Sequence, residues 1–267
     1  LTLVSGGRTV GVVRKEVTLG VPGLALVAAG GLWAQAQRAA RAPLPHFADL
    51  DPSGRYGTDP RDGSDPLRIV VLGDSTLTGP GLFHGSQVWI ARIADRLGRP
   101  VTLQSHARGG ARARDVLRHQ SAPATARAAD LFVVSVGAND AVHGSTARRY
   151  LRDLSELLDS LSVQAPVVST GLGDMAMIPR IPATLRPLLT RRCRAIDDAH
   201  AEACERRADV HRIPVAELSD PQFRAAGPSV FAGDLFHPNV DGHALWAELF
   251  EPWIHRALQH LRHPVAG

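Results

Sequence analysis

The chain has 267 residues, of which 44% are hydrophobic and 5% aromatic, and its formal net charge is +4. That suffices for one large domain with a two-sided core, or at most two small ones. The basic residues are nearly all arginine (Lys15 is the only lysine) and alternate with Asp and Glu, while aromatic platforms for bases are scarce, so nucleic acid is not the expected partner.

In chain order, Arg14, Lys15 and Glu16 precede an uncharged run at residues 17–37, and Arg38 and Arg41 follow it. A spanning helix needs about 20 mostly apolar residues, but Gly20, Pro22, Gly23, Gly30 and Gly31 weaken this run as a helix. Basic charge before an apolar run also describes a signal peptide, with Ala34-Gln35-Ala36 as a cleavage candidate. Residues 1–37 are therefore expected to be a signal anchor or signal peptide, with a soluble apolar extension as the remaining alternative. Either leading case puts the rest of the chain outside the cytoplasm, membrane-anchored or secreted, and an uncleaved anchor would add membrane contact through residues 17–37. Residues 38–66, dominated by Pro, Gly and Asp without a period, read as a linker or extended lead-in.

From Leu67 the pattern changes. Strands are expected at residues 68–72, from 100, at 130–140, at 165–173 and at 209–215. Helices are expected at 86–98, 112–122, 145–162, over most of 182–207, and at 241–261. Strands alternating with helices predict an α/β fold: a parallel sheet covered on both faces, whose buried strands read as continuous apolar runs such as Ile69–Leu72. Cys193 and Cys204, eleven residues apart on one helix, would be about 16 Å apart by helical rise, too far for a disulfide. Two unpaired buried thiols are expected. No Cys/His group has zinc spacing.

In open sheets of this kind ligands sit beyond the carboxyl ends of the strands. After the first strand comes Gly73-Asp74-Ser75; after the second, Gly109-Gly110; after the third, Gly137-Ala138-Asn139-Asp140; before the last helix, Asp234-Leu235-Phe236-His237. Each has a bland reading as a cap or turn. Together and in order they suit acyl transfer. A serine hydroxyl needs an adjacent base, histidine is suited to that near neutrality, and a carboxylate must hold the imidazole in one tautomer. The tetrahedral oxyanion then needs pre-aimed donors. Ser75, with an imidazole from His237 and a carboxylate from Asp234, fits the first three roles. The N–H groups of Ser75 and a glycine and the Asn139 amide fit the last.

Four blocks carry a family resemblance: GDSTLTG at 73–79, GARARDVL at 110–117, GAND at 137–140 and DLFHP at 234–238. The chain resembles the SGNH, or GDSL, hydrolases over residues 67–267, and its leader and linker resemble those of exported actinobacterial members. The resemblance implies a flavodoxin-like three-layer α/β/α sandwich with a five-stranded parallel sheet, no metal and no cofactor. It makes Ser75, Asp234 and His237 the triad, and Ser75, Gly110 and Asn139 the oxyanion hole, acting on carboxylic or acetyl esters of a small molecule, lipid or acylated sugar. Arg112 departs from the Thr or Ser often found there.

Other readings remain. An acyltransferase would use the same triad. A metal-dependent phosphoesterase would use Asp74, Asp140, Asp234 and His237. A non-catalytic exported binding module would keep only the fold. An α/β-hydrolase elbow, G-x-S-x-G, is absent because Leu77 stands where its second glycine belongs. Residues 172–185, with Met175, Met177 and Ile178, either line an acyl pocket or pack on their own domain, and Phe83 and His84 are candidates for the rim.

Overall fold

A computed structural model describes residues 45–58 and 65–262, with residues 30, 31, 34, 35 and 38 before them. The leader expected at 1–37 therefore falls almost entirely outside the described residues. Among those described, no helix is long and apolar enough to cross a membrane.

Six strands, β1 (Gly54–Tyr56), β2 (Leu67–Gly73), β3 (Val101–Ser105), β4 (Leu131–Ser135), β5 (Val167–Thr170) and β6 (Val210–Ile213), form one sheet in the order β1-β3-β2-β4-β5-β6. β2 to β6 are parallel and correspond to the five expected strands. The sixth, β1, corrects the strand count. It lies inside the lead-in and runs antiparallel to β3 at the sheet edge. Three residues, Gly-Arg-Tyr, carry no alternation that a sequence reading could use. Backbone pairing holds them, aided by Tyr56 Oη donating to the Pro52 carbonyl at 2.6 Å and Ser105 N–H donating to Ser53 Oγ at 2.9 Å.

From residue 45 onward the α-helices are α1 (Ser75–Thr78), α2 (Trp89–Arg96), α3 (Ala113–His119), α4 (Ser121–Thr125), α5 (Ala138–His143), α6 (Ala147–Ser162), α7 (Arg186–Glu205), α8 (Val215–Ala226) and α9 (Val240–Arg262). β2 shows why its sequence is continuously apolar. Ile69 and Val71 pack with Trp89 and Ile93 of α2 and Ile254 of α9, while Val70 and Leu72 pack with Val116 of α3, Leu154 of α6 and Ile196 of α7. Each large side chain buried this way contributes about 1.5–3 kcal/mol. Three layers result, and the two cores leave the carboxyl ends of β2 to β5 free to hold a site.

The helix expected over 112–122 is broken at Gln120. Its backbone keeps the Gln120 N–H to Val116 carbonyl bond at 2.9 Å, and its buried side chain clamps the end of β2, accepting the Gly73 N–H at 2.8 Å and donating to the Gly73 carbonyl at 2.9 Å. Cys193 and Cys204 on α7 are unpaired and buried, and burial pushes their thiols up to about 11 and about 12.

Two histidines are kept neutral inside the fold. His200 Nε2 lies 2.8 Å from Ser169 Oγ, and His243 Nδ1 accepts the Trp89 N–H at 3.3 Å. Burial, helped by Arg212 and by Arg92 respectively, lowers each to about 3. A lowered histidine stabilises the fold above its unfolded value near 6.5 and loses that contribution as pH falls toward 3, on the order of 2 kcal/mol each by about pH 5. Burial acts oppositely on Asp74 and Asp220, raised to about 6, which recover stability on acidification. The clean reading is therefore a comparison of variants. His243→Gln keeps an acceptor for Trp89 but cannot charge. Its loss of stability between pH 7.5 and 5, by urea unfolding, should be smaller than the wild type's by about 2 kcal/mol. An identical loss would contradict this burial account.

Candidate active site

The turn after β2 resolves whether Asp74 and Ser75 are cap or nucleophile. Gly73 has φ +152°, and a Cβ there would overlap the Ser135 carbonyl, so only glycine lets the chain turn this close to β4. Asp74 is the N-cap of α1: its Oδ1 accepts the Thr76 N–H at 3.0 Å. Ser75 is then the first helical residue. Its N–H has no intrahelical acceptor, and the residue lines a cavity. The cap and the candidate nucleophile are two different residues.

Asp74 is fully buried. Burial raises its carboxyl to about 6, against hydrogen bonds from Thr76 and the nearby His237 imidazole. A line of hydroxyls ends on it: Thr170 Oγ1 donates to Ser135 Oγ at 2.7 Å, Ser135 and Thr76 hydroxyls lie 2.6 Å apart, and Thr76 Oγ1 donates to Asp74 Oδ1 at 3.0 Å. An ionised carboxylate only accepts, so with one proton per hydroxyl Ser135 must donate to Thr76. This line ties the ends of β4 and β5 to the serine turn. A sequence reading passes over it, because Ser135 and Thr170 look like the last residues of apolar strands.

The remaining candidates gather around that turn. Asn139, in the first turn of α5, directs Nδ2 to the Ala111 carbonyl at 3.2 Å and more loosely to Asp74 Oδ2 at 3.5 Å. It thus joins the serine turn to the loop that carries Gly110. That loop is a turn closed by Ala111 N–H donating to the Arg108 carbonyl at 3.2 Å, and Gly110, its third residue, has φ +77° as a type II turn requires. Nothing lies within 4 Å of where a Gly110 Cβ would be, so the backbone there faces open space.

Before α9 the chain folds tightly between Asp234 and His237. Leu235 has φ +55°, the left-handed region, and Ala232 N–H donates to the His237 carbonyl at 2.8 Å. Asp234 Oδ1 accepts the N–H groups of Phe236 and His237, each at 3.0 Å, and Oδ2 lies 2.6 Å from His237 Nδ1. Burial alone would raise Asp234, but the His237 ring, then the N–H groups of His237 and Phe236, hold its carboxyl below the ordinary value. The Nδ1 contact leaves Nε2 of the same ring for a proton transfer, and the Phe236 ring packs edge-on against the imidazole at 5.0 Å.

Ser75 and His237 border the same cavity, of about 130 Å³. Away from them its wall is apolar: Met175, Met177 and Ile178 from the loop after β5, and Phe223, Trp246 and Phe250 from α8 and α9. Phe223 and Trp246 stack at 5.5 Å, and Trp246 Nε1 donates to Ser219 Oγ at 2.8 Å, so this polar atom is satisfied within the wall. Phe83 is 77% exposed, and neither it nor His84 borders the cavity, which corrects their expected place at its rim.

The donor set for a metal is not assembled. Asp74 caps α1, Asp140 Oδ2 accepts the Ala113 N–H at 2.9 Å, and among the described residues no group of three His, Cys, Asp or Glu is placed to hold an ion.

A three-layer α/β/α fold with serine, histidine and aspartate at the carboxyl edge of its sheet defines the class as serine-hydrolase-like. The chain belongs to the GDSL-like lipase/acylhydrolase family, whose model matches residues 71–245. A GDSL-like esterase of Mycobacterium tuberculosis is 30% identical over 193 residues, covering 68% of this chain, and the chain spans 60% of that relative's length. Among solved structures, a lipolytic G-D-S-L family member from Veillonella parvula is 18% identical, covering 71% of this chain and 99% of that one, with a TM-score of 0.59. An acetyl xylan esterase variant from Geobacillus stearothermophilus is 15% identical, covering 70% and 94%, with a TM-score of 0.53. These last two likenesses concern the fold.

Proposed function

We propose that this chain is a serine esterase that cleaves carboxylic esters through an acyl-enzyme. The observation that carries this reading is the imidazole of His237, held through Nδ1 by Asp234 at 2.6 Å and bordering the same cavity as Ser75. Ser75 Oγ attacks the ester carbonyl while His237 Nε2 takes its proton, and Asp234 stabilises the resulting imidazolium. Charge on the carbonyl oxygen is met by the N–H groups of Ser75 and Gly110 and by Asn139 Nδ2, whose 3.5 Å contact to Asp74 is the looser of its two. The tetrahedral intermediate collapses, and His237 returns the proton to the departing alcohol. Water, deprotonated by the same imidazole, then releases the acid and restores Ser75.

The apolar cavity supports an acyl group longer than acetyl. A series of p-nitrophenyl esters should show kcat/KM rising from two carbons to six or eight, since each buried methylene contributes about 0.8 kcal/mol, offset by lost chain freedom. A maximum at acetate would overturn the acyl assignment and favour deacetylation. Purified enzyme should keep its rate in EDTA; loss of activity would support the metal-dependent reading. We further propose that the chain is exported, supported by the basic flank and uncharged run at residues 17–37. Fractionation of expressing cells tests this, and recovery of the full-length chain in the cytoplasm alone would contradict it.

A further inference from the structure

The lead-in before β2 lies outside the matched family region, 71–245, yet it reaches the site. Asp49 Oδ1 accepts the Thr78 hydroxyl at 2.7 Å, and Oδ2 accepts the Gly109 N–H at 2.8 Å. One carboxylate therefore spans from the last residue of the serine helix α1 to the residue before Gly110. The approach is close enough that a Cβ on Gly109 would overlap Asp49 Oδ1. The two neighbouring glycines thus have separate reasons: Gly109 admits the carboxylate, and Gly110 supplies the positive φ.

We propose that Asp49 is a positioning residue for the oxyanion loop, fixing the Gly110 N–H relative to Ser75. The inference rests on the assignment of Ser75 and Gly110 above. Peptide planes at 109 and 110 are consecutive in one tight turn, so anchoring the first restricts the rotation of the second. Donors to an oxyanion act through prior orientation, so a loosened turn weakens binding of the transition state more than that of the ester. The segment carrying Asp49 is held independently of its carboxylate. Leu50 N–H donates to the Thr78 carbonyl at 2.8 Å, and β1 pairs with β3. Replacing the side chain therefore tests the bridge and not the seating of the strand.

The experiment compares wild type, Asp49→Ala, Asp49→Asn and Ser75→Ala by steady-state hydrolysis of a p-nitrophenyl ester, by the rate of labelling with a fluorophosphonate, and by thermal unfolding. Asp49→Ala should lower kcat about tenfold with KM within about twofold, slow phosphonate labelling in parallel, and leave the unfolding temperature nearly unchanged. Asp49→Asn should recover most of the rate, because its Oδ1 can accept from Gly109 while Nδ2 donates to the Thr78 hydroxyl. Gly109→Ala should lower kcat similarly and add little to Asp49→Ala, since both break one unit. Unchanged kcat in Asp49→Ala overturns the proposal, as does a fall in unfolding temperature that Asp49→Asn shares, or a rise in KM alone. Failure of the underlying reading looks different: Ser75→Ala would still hydrolyse ester and take up label.

Discussion

Ser75→Ala is expected to lower kcat for ester hydrolysis by roughly 10⁴- to 10⁶-fold while leaving the fold intact. The magnitude follows from the role. Without the hydroxyl no acyl-enzyme forms, and what remains is the contribution of the oxyanion donors to direct attack by water. The fold should tolerate the change because Asp74, not Ser75, caps α1, and because the turn is held by the Gln120 clamp on Gly73 and by the hydroxyls of Thr76, Ser135 and Thr170. The check is steady-state kinetics beside thermal unfolding. A variant that hydrolyses ester at the wild-type rate would remove Ser75 from the mechanism.

Asp234→Asn carries the second large effect, a fall in kcat of roughly 10⁴-fold. The amide can still accept through Oδ1 from the N–H groups of Phe236 and His237, which the carboxylate now does at 3.0 Å, so the turn should persist. At the Oδ2 position it presents an N–H toward His237 Nδ1. The ring must then carry its proton on Nε2, the nitrogen that should accept from Ser75, and the negative charge that offsets the imidazolium is gone. In the wild type Asp234 is held below the ordinary carboxylate value, so it stays ionised well into acid. Wild-type kcat in Asp234→Asn would show that tautomer control plays no part.

Much of this was legible in the residues because the strands are buried on both faces. Ile69–Leu72 and Leu131–Val134 announce themselves as unbroken apolar runs, and the polar residues just beyond them fall at the sheet edge where a site is built. Features held by backbone pairing or by single long-range polar contacts were not legible. β1 has no apolar signature in three residues, and α8, with Pro221 inside it, is not among the helices expected from the sequence. Gln120 looks like any polar residue in an amphipathic helix, and only the fold shows both its amide atoms on Gly73. Asp49 sits in a Pro- and Asp-rich lead-in whose composition suggests a tether, and its partners lie 29 and 60 residues away in the chain. Four site blocks could be ordered from the sequence alone; the clamps that support them could not.

The most direct measurement is mass-spectrometric mapping of a fluorophosphonate adduct on the intact protein at neutral pH. The account predicts a single covalent adduct on the peptide bearing Ser75, formed stoichiometrically, absent from Ser75→Ala and strongly slowed in His237→Ala. Label on another residue, or equal labelling of Ser75 with and without the imidazole, would contradict it.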